Sequence, residues 1–195
     1  QAELKLSAGQ YEEALAALVR ARKNAGRYPR VLNLLQQAFL GLADWKSLAV
    51  LIPELKKHSV MQESDLSALE KTAHSHIFSL SLQAKDASAI RKSWSSLPQG
   101  LKGEPELMHG YLSALVKLGE NEEAGKLITK HLKQHWDSKL VRLYGLLESE
   151  NSSKQLAKAE TWLADHSADA QLQLSLGRLS ARNNLWGKAR DYFEN

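Results

Sequence analysis

Apolar side chains along this chain recur at intervals of three and four residues rather than two, a spacing that predicts helices and no strands. The last segment shows the pattern most clearly. Gly177, after Leu176, precedes Ala189 by twelve residues and Phe193 by sixteen. Gly177 and Ala189 are predicted to be small because two helices cross there, with Phe193 filling the space beside them. Asn183-Asn184 is predicted to make the turn and Leu185-Trp186 to pin it. From Pro105, a residue suited to a first helical turn, Leu107, Met108, Tyr111, Leu112, Leu115 and Leu118 form one stripe. Gly119 is expected to close that helix and Asn121 to cap the next, whose stripe is Ala124, Leu127, Ile128 and Leu132. From Pro29 the plan repeats. Leu32, Leu35, Phe39 and Leu42 come first, Asp44 caps, and Trp45, Leu48, Leu51, Ile52 and Leu55 follow. Further helices are predicted over 11–23 and 64–83, over a short segment capped by Asp86 and running through Trp94 to Leu97, and as a pair over 137–150 and 153–166.

These pairs are periodic. Ala14, Leu48, Ala89, Ala124, Ala159 and Ala189 sit near the starts of second helices, and three of the gaps between them are 34 or 35 residues. Units of that kind cannot bury a core alone and stack on their neighbours. The expected fold is all-α: a right-handed array of about five helix pairs, with units near 1–28, 29–63, 64–104, 105–136, 137–168 and 169–195. Residues 100–104 are the one plausible linker, and they are not expected to separate independent domains. Gln1 and Asn195 both fall inside a unit, so the sequence reads as a fragment of a longer protein, incomplete at both ends.

The period resembles the tetratricopeptide (TPR) superfamily along nearly the whole chain. A narrower resemblance lies in Tyr28-Pro29-Arg30-Val31-Leu32, Leu35 to Phe39, and Ala43-Asp44-Trp45-Lys46-Ser47-Leu48 through Ile52-Pro53, which is similar to HemY proteins. The resemblance implies a bacterial inner-membrane parent with two N-terminal spans before Gln1, and a repeat domain on the cytoplasmic side. It implies a protein–protein scaffold in late protohaem or porphyrin synthesis, contacting enzymes of that route. Two alternatives stay open: a haem- or porphyrin-binding carrier, and a peptide-binding module unrelated to haem.

Composition narrows the chemistry. No Cys is present, which excludes disulfides, thiolate metal sites and Cys nucleophiles. No apolar run is long enough to span a bilayer. The net charge of +4 permits an anionic partner without demanding one. Basic residues are not interleaved with aromatics, and Glu12 and Glu13 lie among them, which argues against nucleic acid. There is no phosphate-binding loop, nucleophile elbow or dinucleotide fingerprint, so no enzyme activity is expected.

In stacked helix pairs the inward positions of the first helices line the binding groove. Here those are Arg30, Asn33 and Gln37, then Glu106, His109 and Ser113, then Tyr144 and Glu148, then Arg178 and Arg182. A clamp for C-terminal carboxylates, built from Lys and Asn at fixed positions, is absent: the corresponding places hold Asn33, Leu34, Gln37, Ser175 and Arg178. His131 and His135 share a helical face and read as surface residues rather than metal ligands, so no metal site is expected. His74 and His76 should point apart. The basic run Arg20, Arg22, Lys23, Arg27 and Arg30 reads as a solvated helix end, with anionic headgroups or tetrapyrrole propionates as the alternative. Trp45 and Trp186 read as packing residues. No cofactor is expected, haem being the one the resemblance allows. The oligomeric state is not encoded in any of these features.

Overall fold

A computed structural model describes residues 1–25 and 28–194. Among these residues there are fourteen helices and no strand, as the spacing predicts. They are α1 (Ala2–Ser7), α2 (Tyr11–Ala25), α3 (Pro29–Gly41), α4 (Trp45–Lys57), α5 (Glu63–Gln83), α6 (Ala87–Ser96), α7 (Gln99–Lys102), α8 (Pro105–Lys117), α9 (Asn121–Leu132), α10 (Ser138–Leu146), α11 (Ser152–Glu160), α12 (Leu163–His166), α13 (Ala170–Arg182) and α14 (Trp186–Glu194). They form two compact units. One holds residues 1–83 and 91–107, the other 84–90 and 108–194.

One backbone device recurs at the turns. Gly9, Ala43, Lys85, Gly119 and Asn184 all have positive φ. Each lies two residues before the start of a helix: α2, α4, α6, α9 and α14. After four of them the next N–H reaches back five residues: Gln10 to Lys5, Asp44 to Phe39, Glu120 to Leu115 and Leu185 to Ser180, at 2.8–2.9 Å. This arrangement satisfies carbonyls that a helix end leaves without intrahelical partners. Gly9 and Ala43 are 34 residues apart, as are Lys85 and Gly119. The period seen in the apolar pattern is therefore also a period of the turns.

In the first unit α1 packs on α2 and α3, α2 on α3, α3 on α4, and α4 on α5. Its core gathers Leu18, Leu32, Leu35, Ala38, Leu48, Leu51, Ile52, Leu55, Leu66 and Ala73. Asp44 caps α4 as expected, accepting from the Ser47 N–H at 3.1 Å. Pro53 does not end that helix, which runs on to Lys57. Residues 99–102 form a helical turn with Leu101 buried.

In the second unit α10 packs on α9 and α13, and α13 also on α11 and α14. Gly145 of α10 meets Ser175 of α13, where an added Cβ would come within 2.8 Å of the Ser175 Cα. Gly177 faces Phe193, as the spacing predicts. Asp169 caps α13 through the Gln171 and Leu172 N–H groups, at 2.8 and 3.1 Å. The same carboxylate accepts from Trp136 Nε1 at 2.8 Å and from the Ser138 hydroxyl. Partial burial works to raise its pKa, and these four hydrogen bonds outweigh that and hold it below the usual value. Asp169→Ala removes a cap and two further charge-assisted bonds. It is expected to cost about 3 kcal/mol in urea unfolding at neutral pH. Because the folded-state pKa is lowered, this contribution exists above the ordinary carboxylate range and disappears as pH falls through the folded value.

Several sequence expectations are corrected. The buried residue at the start of α6 is Ile90, not Ala89, which is half-buried. Asn121 does not cap α9; its amide donates to the Gly119 carbonyl, and Glu120 holds the cap position without a side-chain bond. Leu185 and Trp186 do not pin their turn, because both are exposed, Trp186 at 66%. The helix expected over 153–166 is interrupted at Thr161-Trp162. The one expected over 137–150 ends at Leu146, where no residue with positive φ turns the chain.

Candidate functional site

The end of α10 shapes a cleft. With no left-handed turn available, its last carbonyls find side-chain donors instead. Gln155 of α11 donates Nε2 to the Tyr144 carbonyl at 2.7 Å and to the Leu147 carbonyl at 3.3 Å. Arg182 of α13 also donates to the Leu147 carbonyl. The chain from Leu147 to Asn151 is irregular, extended at Leu147 and bent at Glu150, and leaves space between α9 and α11. That cleft is about 390 Å³ and is lined by Lys126, Lys154, Lys158, Glu122, Gln155 and Tyr144 among others.

Glu122 is held by Ser149 Oγ at 2.8 Å and by the Glu150 N–H at 3.3 Å. These bonds, with Lys126 and Lys154 nearby, keep its carboxyl below the usual range. Burial, and then the Glu122 charge, push the Tyr144 phenol up to about 12, so it remains protonated. Among the described residues, Lys126, Lys154 and Lys158 form no ion pair.

The groove residues expected from sequence are distributed as follows. In the first unit Arg30 is exposed and forms a two-pronged ion pair with Glu3, both bonds 2.9 Å. Asn33 and Gln37 are exposed and bonded to each other at 3.2 Å. Glu106 is exposed beside a shallow depression with Lys71, Thr72, Ser75, His76 and Ser79. In the second unit His109 and Ser113 are half-buried neighbours at 3.5 Å. Glu148 is exposed, and Arg178 is half-buried with one guanidinium nitrogen buried and unbonded. Arg182 belongs to the α10 terminus. Tyr144 is a correction. It is buried, its ring set edge-on against Trp162 at 4.9 Å, so it offers the cleft only a margin.

Other candidates divide similarly. His74 and His76 do point apart. His74 is buried with Nδ1 2.7 Å from Ser93 Oγ, and His76 stacks on Trp45 at 4.0 Å. His131 is half-buried and His135 lies beyond the end of α9. Among the described residues no three His, Cys, Asp or Glu gather in a metal-binding arrangement. In the basic run Arg22 is paired with Glu54 at 2.6 and 2.8 Å and Arg30 with Glu3, while Arg27 lies outside the described residues. The three Lys and Gln155 of the cleft were missed. One signal was available: Gln155 stands in the same helical stripe as Leu156 and Ala159, a polar residue where the pattern calls for core.

No protein-family model matches the chain. It is 24% identical to Protein HemY of Escherichia coli K12 over 164 residues, 84% of this chain and 41% of the relative. Protein HemY of Escherichia coli O157:H7 and that of Shigella flexneri match to the same extent. The chain thus spans less than half the length of these curated relatives. Among the described residues no helix is long and apolar enough to cross a membrane.

Proposed function

We propose that this chain is the repeat region of a HemY-like bacterial protein and that it holds partner proteins rather than transforming a substrate. The similarity to HemY across most of the chain carries the reading. The recurring left-handed turns, 34 residues apart in each unit, support a TPR-like stacking of helix pairs. In such a stack the first helices present the exposed polar positions Asn33 and Gln37 in the first unit, and the half-buried His109 and Arg178 in the second, to a partner. By its resemblance the parent is anchored in the inner membrane through segments outside this chain. Its repeat region brings together enzymes that handle porphyrin and haem.

The test presents the immobilised chain with the purified late haem-pathway enzymes of the bacterium that carries it. Saturable capture of at least one is expected, weakened in the double variant Asn33→Ala, Gln37→Ala. Capture of none overturns the scaffold reading. A parallel haem titration followed at the Soret band is expected to show no saturable shift; a saturable one favours the carrier reading instead.

A further inference from the structure

Two observations made independently coincide in the α9–α11 cleft. The first is charge. Lys154 and Lys158 lie one turn apart on α11, Lys126 stands on α9, and none of the three forms an ion pair with another described residue. The second is an orphaned acceptor. Gln155, 4% exposed, lines the same cleft, and its Oε1 is buried without a hydrogen-bond donor. Its amide orientation is fixed by the two carbonyls that Nε2 serves, so the orphan is an acceptor whichever way the amide is first assigned. A buried acceptor left unpaired costs free energy that a ligand donor would recover. The cleft therefore asks for a ligand with an N–H donor and anionic groups a few ångströms away.

We propose that this cleft binds an extended acidic peptide segment of a partner protein, with a backbone N–H on Gln155 Oε1 and carboxylates on Lys126, Lys154 and Lys158. An extended chain carries a donor at nearly every residue and sends alternate side chains to opposite sides. That suits a central acceptor flanked by cations on two helices. A flat lipid surface fits less well, because it cannot follow the cleft inward to Gln155, which is only 4% exposed. The proposal concerns second helices of the pairs and does not depend on the haem-linked reading or on the first-helix positions named for it.

The probe is a fluorescent, end-capped peptide of alternating aspartate and glycine, titrated into the intact chain. Saturable binding that weakens with salt is expected. Lys154→Glu with Lys158→Glu is expected to weaken it about tenfold or more. Lys130→Glu, an exposed charge reversal outside the cleft, is expected to leave it unchanged. Circular dichroism checks that the variants remain folded. In the ¹H–¹⁵N spectrum the Gln155 side-chain amide is expected to shift on saturation. Absence of saturable binding overturns the proposal, as does binding that ignores the Lys154/Lys158 reversal or leaves the Gln155 signal in place. Vesicles containing phosphatidylglycerol serve as the second arm. If they bind through these lysines and the peptide does not, the occupant is a lipid and the peptide proposal fails.

Discussion

Gly145→Val is expected to destroy cooperative folding of the unit that contains it, and Gly145→Ala to lower its stability by about 3 kcal/mol or more. The reason is what a Cβ would meet. At Gly145 the neighbours are the Ser175 Cβ and Oγ, both at 2.6 Å, and its Cα at 2.8 Å. Ser175 is fully buried and its hydroxyl is tied to the Val141 carbonyl at 3.0 Å, so no flexible group can swing aside. Relief requires α10 and α13 to separate, which opens the packing around Leu140, Val141, Leu172 and Leu176. Gly177 is the natural control. The three atoms nearest to a Cβ there all belong to the ring of Phe193, a residue that is 52% exposed and able to move. Gly177→Ala also gains up to about 1 kcal/mol of helix propensity and is expected to be near neutral. Urea titrations followed by circular dichroism test the contrast. Equal stability of the two alanine variants would show that α10 and α13 do not approach this closely.

Features set by neighbours in the chain were legible in the sequence. The stripes on α3, α4, α8 and α9, the Asp44 and Asp86 caps, and the Gly119 turn depend on residues within a few positions, and each is found. The Gly177–Phe193 contact also spans only one hairpin. Features set by distant partners were not. Ala89 and Ile90 are adjacent apolar residues, and nothing local decides which one turns inward. Tyr144 suits either core or surface by itself. It is buried because Trp162 closes over it, and Trp162 sits at a helix break that residues 153–166 did not announce. The cleft has the same origin. It exists because the end of α10 lacks a left-handed residue and takes its donors from Gln155 on α11 and Arg182 on α13, one and three helices further along the chain. Lys154 becomes a neighbour of Glu122 only through that geometry, whereas Lys126 stands one turn further along the same helix as Glu122. Of the groove positions, Arg30, Asn33, Gln37 and Glu106 are exposed as polar residues on first helices should be, whereas His109, Ser113 and Arg178 are half-buried and Tyr144 is buried; the Gln155 cleft required coordinates.

The second large effect is a loss of stability between about pH 6.5 and pH 4, traceable to one imidazole. His74 is 3% exposed on α5, with Phe78 beside it at 6.3 Å between ring centres and Ser93 Oγ on its Nδ1. Burial pushes its pKa down to about 4, because the charged form would lose its hydration. In the unfolded chain the same residue takes up a proton near 6.5. Above that pH both states are neutral and the native packing is unpenalised. As pH falls below it, the unfolded chain binds a proton that the folded chain refuses, so stability declines until the folded value is reached. Over that interval the loss amounts to about 3 kcal/mol. Glutamine at position 74 can still hydrogen-bond Ser93 but cannot titrate. His74→Gln is therefore expected to flatten the decline in the urea midpoint between pH 6.5 and 4.5, even if it lowers stability at pH 7. Asp169 provides a separate contribution that fades at lower pH, through its own lowered carboxyl, so the two steps are distinguishable. If His74→Gln shows the same slope as the parent chain across this interval, the acid sensitivity lies elsewhere and the burial of His74 does not govern it.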